Sequence, residues 1–221
     1  MTYFMMMRVA LIGMFLTLAA CTTATPPEPT TVAGVLGSRP PQPPSAVIHC
    51  DTDFTVQERS ELQAAAEIWK LQTSGLASIT LVWDVDFTST SDISGHVKAQ
   101  HNIMLRLEAW MSTVVEEDKA SGNELLGVVS PGGGIHNPWH KPLTVGFVAD
   151  RMGALYPDRA GLTQVALHEF GHVLGVPHQG AINAIMFHSA IKSATVCLKK
   201  PDLAAFCNVN ECASYVMHPC E

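Results

Sequence analysis

The chain has 221 residues, 47% of them apolar, with a net charge of −7 and a pI near 5.8. That length and apolar share suit one domain with a sizeable core plus a short appendage. The acidic balance and the lack of any basic stripe exclude nucleic acid as a partner.

Arg8 is the first charged side chain, and an unbroken apolar run from Val9 to Leu18 follows it. The run is too short to span a bilayer and has the length of a signal-peptide core. It ends in Leu18-Ala19-Ala20-Cys21, which resembles the lipobox of bacterial lipoproteins, where the cysteine is lipidated and becomes the mature N-terminus. Residues 1–20 therefore read as a signal peptide of lipoprotein type. Cys21 reads as the lipid attachment, tethering an exported protein to a bacterial membrane or cell surface; ordinary secretion after cleavage near Ala20 or Ala24 is the alternative. Either route leads out of the cytosol, where disulfides form. With Cys21 lipidated, Cys50, Cys197, Cys207, Cys212 and Cys220 remain. Two disulfides, mostly among the C-terminal four, and one leftover thiol are expected.

Residues 21–45 are rich in proline and threonine, with Pro26, Pro27, Pro29, Pro40, Pro41, Pro43 and Pro44. Such a stretch buries no core and reads as an extended tether. The folded domain should occupy residues 46–221. A short strand is expected at Val47–Cys50. A helix follows over Thr55–Leu71, with Val56, Leu62, Ala65, Ala66 and Trp69 near one face. Strands are expected at Ile79–Phe87, Asn102–Leu107, Leu125–Ser130 and Leu143–Ala149, the last two joined by a Pro/Gly-rich loop. A helix is expected over Leu162–Leu174, and a final one starting near Pro201, since proline suits a first helical turn.

The segment His168-Glu-Phe-Gly-His172-Val-Leu-Gly175-Val-Pro-His178 carries the chemistry. Residues four apart on a helix project together, so the imidazoles of His168 and His172 can converge on one ion. Leu162, Ala166, Phe170, Val173 and Leu174 lie on the opposite side, facing a core. Glu169 is about 100° around the axis, placed to reach a water on the metal without binding the metal itself. Gly175 ends the helix by adopting the left-handed conformation cheaply. The turn returns His178 as a third nitrogen ligand. Three histidines plus water is the open coordination of a catalytic zinc, whereas structural zinc sites close with four protein ligands.

His-Glu-x-x-His-x-x-Gly-x-x-His is the signature of the metzincin peptidases. Residues 162–175 resemble the active-site helix of the matrixins, the matrix-metalloprotease branch. Ala184-Ile-Met186-Phe187 resembles the family's Met-turn. The resemblance implies an α+β fold: a mixed twisted sheet of about five strands packed on an N-terminal helix and an active-site helix, with a short C-terminal subdomain ending in a helix. It implies one catalytic zinc on His168, His172 and His178, with Glu169 as the base that activates water, and Gly175 and Met186 as structural supports. It also implies an endopeptidase whose protein or peptide substrate lies extended along an edge strand, for which Leu126–Ser130 is the candidate. A zinc-binding surface lipoprotein that recognises peptides or glycans without hydrolysis is the alternative; the presence of Glu169 argues against it.

The departures from the matrixin pattern are specific. Gln179 stands where the family has serine, Phe187-His188 where it has Tyr-Pro, and no Pro-Arg-Cys-Gly latency motif occurs. A zinc-blocking thiolate at Cys50 would lack the flanking residues of that motif. His188 occupies the position of a tyrosine that ligates zinc or supports the oxyanion in other metzincin branches; a plain wall or surface residue is the alternative. Matrixins also carry a structural zinc and calcium ions. His136 and His140 with Asp150 are the candidate second metal site, although their pattern does not match the family's. The other histidines, His49, His96, His101 and His218, read as surface groups or satisfied partners.

Overall fold

The computed structural model describes residues 44–87, 93, 95–96, 99–107, 126–131, 142–152, 160–188, 196–210, 212 and 215–220. The chain divides into Met1–Arg39 and Pro40–Glu221. The leader and most of the tether read from the sequence lie outside the described residues. Among the described residues no helix is long and apolar enough to cross a membrane.

Five strands form one sheet: β1 (Ser45–Asp51), β2 (Ser78–Val85), β3 (Asn102–Arg106), β4 (Gly127–Pro131) and β5 (Leu143–Phe147). Their order is β2-β1-β3-β5-β4. All neighbours pair in parallel except β4, which runs antiparallel to β5 at the edge. Among the described residues, three longer helices accompany the sheet: α1 (Val56–Gln72), α2 (Leu162–Val173) and α3 (Lys200–Asn210). The implied α+β architecture is the one observed.

Local chemistry explains the boundaries. Thr55 caps α1 by accepting from the Glu58 N–H, and the Glu58 carboxylate accepts from the Thr55 N–H, a reciprocal capping box. Leu62, Ala65, Ala66 and Trp69 are buried as their spacing requires, but Val56, expected on the same face, is 85% exposed. It is the first residue of the helix, six residues ahead of Leu62, and at about 100° per residue it lies some 130° around the axis from the buried stripe. β4 extends to Pro131, one residue past the expected end, which an edge strand tolerates because proline lacks only a donor. β5 stops at Phe147, two residues early, where the chain tightens into a 3-10 turn at Ala149–Arg151. Pro201 falls in the first turn of α3.

α1 and α2 pack on each other; α1 also meets β2, and α2 meets β4 and β5. The main core lies between them and the sheet, with Trp69, Phe147, Phe170 and Phe206 fully buried. Trp69 Nε1–H donates to the Leu167 carbonyl at 2.9 Å, locking the two helices together. A smaller cluster of Val85, Phe87, Ile103 and Leu105, with Ile93 packed against it, is separate from the main core. Met104 joins the main core while its neighbours Ile103 and Leu105 do not, as the period of a strand demands.

Disulfides Cys197–Cys220 and Cys207–Cys212 close the C-terminal region, and Cys50 is free, as expected from their distribution. Burial pushes the Cys50 thiol up to about 12, and its Sγ donates to the Ile48 carbonyl. A thiol buried in a central strand and held protonated is not a metal-blocking thiolate.

Candidate metal centre

Helix α2 presents two opposite faces. Leu162, Val165, Ala166, Phe170 and Val173 are buried, whereas His168 and His172 are half-buried on the other side. The helix ends in a Schellman motif: the Gly175 N–H donates to the His172 carbonyl at 3.0 Å and the Val176 N–H to Gly171 at 2.8 Å. Gly175 has φ +87°, a conformation in which a side chain costs roughly 1 kcal/mol or more. That turn brings His178 back over the helix.

The three imidazoles converge. Nε2 of His168 lies 3.1 Å from that of His172 and 3.2 Å from that of His178, and the last two are 3.1 Å apart. The other nitrogens of the helical pair are already engaged. His168 Nδ1–H donates to the Ile185 carbonyl at 2.7 Å and His172 Nδ1–H to Val176 at 2.8 Å. Those bonds set the tautomer, so each Nε2 is a bare lone pair. Burial lowers the pKa of His168 and takes that of His172 down to about 4; burial, then the nearby His188, lowers His178. Neutral lone pairs facing one another at this distance repel unless a cation sits between them. Nitrogens bound tetrahedrally to zinc at about 2.0–2.1 Å stand roughly 3.3 Å apart, close to what is seen here. The donor set and spacing fit zinc.

Glu169 points elsewhere. It is 6% exposed and lies against β4 at Gly127, and burial alone pushes its carboxyl up to about 8. A dication beside it would draw that value down. Below the triad, Met186 is fully buried and packs on α2 where Gly171 leaves room. A Cβ at Gly171 would overlap Met186 Sδ and come within 3.1 Å of the Trp69 ring. Gly171→Val should therefore destabilise the fold by about 3 kcal/mol through overpacking, read as a fall in denaturation midpoint; an unchanged midpoint would show that Met186 has slack.

The turn carrying Met186 is held from α3. Asp202 is fully buried and accepts from the backbone N–H of Ile185 (3.1 Å), Met186 (2.9 Å) and Lys199 (2.8 Å). Gly171 and Asp202 were not singled out from the sequence. A carboxylate in a helix's first turn looks like an ordinary cap, and only its distant partners distinguish it.

The family model for matrixins matches residues 40–209. The chain is a matrixin. It is therefore a zinc-dependent metallopeptidase, acting on protein or peptide. None of the curated proteins compared with this matrixin matches it.

Other expected site residues stand differently. His188 is exposed, lies tilted against Phe187 with centroids 4.2 Å apart, and is not one of the converging group of His168, His172 and His178. Gln179 turns its amide back onto the Pro177 and His178 carbonyls. His136 and His140 lie outside the described residues, and Asp150 is ion-paired with Arg106. Cys21 also lies outside them.

Proposed function

We propose that this matrixin is an endopeptidase in which His168, His172 and His178 hold the catalytic zinc and Glu169 is the proton carrier. The observation that supports this most directly is the trio of Nε2 atoms 3.1–3.2 Å apart, on the helix that also carries the buried Glu169. A zinc ion on these nitrogens supplies Lewis acidity, polarising the scissile carbonyl and making water nucleophilic at neutral pH. Glu169 accepts a proton from the attacking water and returns it to the leaving amine. Gly175 sets the return of His178, and Met186 supports the helix from below. His188, whose charge is felt at His178, is a candidate hydrogen-bond donor to the developing oxyanion, with a plain surface role as the alternative; an oxyanion role predicts a lower kcat for His188→Phe with zinc content unchanged, and an unchanged kcat overturns it.

β4 is the edge of the sheet and packs against α2. An extended peptide can add to it as a further strand, its carbonyls passing beside Glu169. Backbone pairing of this kind takes internal stretches of chain, which is the reason for reading an endopeptidase. Incubating the zinc-loaded protein with a random peptide library and sequencing the products tests this. Internal cleavages that stop on chelation are expected; bound but intact peptides would favour the non-hydrolytic zinc-binding reading instead.

We also propose that Cys21 carries lipid and that the Pro-rich tether sets the domain away from a membrane. Cys21→Ser should move the protein from the membrane fraction to the soluble one. A mature N-terminus beyond Cys21, without lipid, would overturn the anchor.

A further inference from the structure

We propose that Gly127 is a positioning residue for hydrolysis: its bare α-carbon lets the Glu169 carboxylate sit against the edge strand at the point where a peptide pairs with that strand. The inference rests on the reading of Glu169 as proton carrier. The Val148 N–H donates to the Leu126 carbonyl at 2.9 Å, and β4 pairs with β5 from Gly127 opposite Phe147 to Pro131 opposite Leu143. Backbone groups along an antiparallel strand face its two sides alternately. Leu126, Val128 and Ser130 thus turn their N–H and C=O towards β5, and Gly127 and Val129 turn theirs outward. The next residue of the outward set is Pro131, which has no N–H to offer. A peptide added to this edge finds its donors at Gly127 and Val129.

The same residue meets α2 with its α-carbon. A Cβ on Gly127 would lie 2.9 Å from Glu169 Cγ, 2.9 Å from Glu169 Oε1 and 2.8 Å from Val165 Cγ1. The carboxylate thus fills the space that any other residue's side chain would take. Val165 and Glu169 stand one turn apart on the helix and both are buried, so neither can swing into solvent to make room. The backbone does not call for glycine here: among the described residues, the glycines with positive φ are Gly75 and Gly175. A glycine inside a strand without that need marks a close approach. Gly127 therefore joins two functions in one residue. Its outward N–H and C=O hold the peptide, and its missing side chain sets how near Glu169 stands to it. A side chain here would shift the carboxylate and leave the outward pairing groups in place. A displacement of about 1 Å in a reacting group can cost on the order of a hundredfold in rate.

The test is Gly127→Ala in the full chain, assayed on a peptide cleaved internally by the wild type. Zinc content and far-UV circular dichroism should be unchanged, KM should stay within about threefold, and kcat should fall on the order of a hundredfold. In a Glu169→Gln background the same substitution should lower kcat no further, because Gly127 acts through that carboxylate. In metal-free protein, Gly127→Ala should lower the denaturation midpoint less when Glu169→Ala has emptied the shared space. Should Gly127→Ala fail to fold, Gly127→Ala/Val165→Ala relieves the apolar half of the overlap and carries the same assays, with Val165→Ala as its reference. An unchanged kcat overturns the proposal, as do a rise in KM that accounts for the loss, a loss of zinc, or losses that multiply with those of Glu169→Gln. Near-normal turnover of Glu169→Gln itself would instead refute the reading of the proton carrier.

Discussion

Glu169→Gln should retain zinc and lose peptide hydrolysis on the order of a thousandfold, the scale of a positioned general base. The substitution is nearly isosteric, so the buried space against β4 stays filled and the helix is undisturbed. Only the capacity to take and return a proton disappears. Metal content, measured alongside turnover, separates this from damage to the triad. Near-normal turnover with zinc bound would refute the assignment of Glu169. A second readout exists in the metal-free protein. Burial raises the Glu169 carboxyl from 4.5 to about 8. A raised carboxyl stabilises the fold below its unfolded pKa, and that contribution is lost as pH climbs through the folded value. Metal-free wild type should therefore lose stability between about pH 4.5 and 8 relative to Glu169→Gln, as read by denaturant titration. Parallel profiles for the two proteins would mean that the carboxyl is not buried in solution.

Asp202→Ala should be the most damaging change outside the metal ligands. It strands three backbone donors, two of them on buried residues of the Met186 turn. Losing charge-assisted bonds and leaving buried N–H groups unpaired costs on the order of 4 kcal/mol. For a chain of this size that lowers Tm by roughly ten degrees. The effect should also travel to the metal. The same turn supplies the Ile185 carbonyl that holds His168 Nδ1. Loss of such an outer partner typically weakens metal affinity about 10- to 100-fold. Asp202→Asn keeps the volume and one acceptor, and should fall between wild type and alanine in both readouts. A variant that loses stability but binds zinc as tightly as wild type would uncouple α3 from the metal centre.

The helix that carries His168 and His172 was legible because its information is local. His168 and His172 share a face by helical periodicity, and Gly175 followed by His178 encodes a turn whose length is set by the chain itself. The same holds for the amphipathic stripe of α1, the proline opening α3, and the clustering of the cysteines at one end of the sequence. Strand ends shifted by a residue or two, at Pro131 and Phe147, and Val56 stayed exposed because at about 100° per residue it lies some 130° from the stripe of Leu62, Ala65, Ala66 and Trp69.

Long-range placement decided the rest. That β4 is the sheet's edge follows from the strand order, in which it has β5 on one side only, and no alternation within Leu126–Ser130 distinguishes an edge from an interior strand. Asp202 and Gly171 acquire their meaning from the Met186 turn, sixteen and fifteen residues away, and the Trp69 indole from a carbonyl on another helix. His49, His96 and His101 read from the sequence as surface groups or satisfied partners, and which partners satisfy them, Asp84 for His49 and one another for His96 and His101, only the folded chain decides. The physical reason is the same in each case. Periodicity specifies which way a side chain points relative to its own backbone, whereas its partner is selected only when the sheet and helices close around the core and desolvate both groups together.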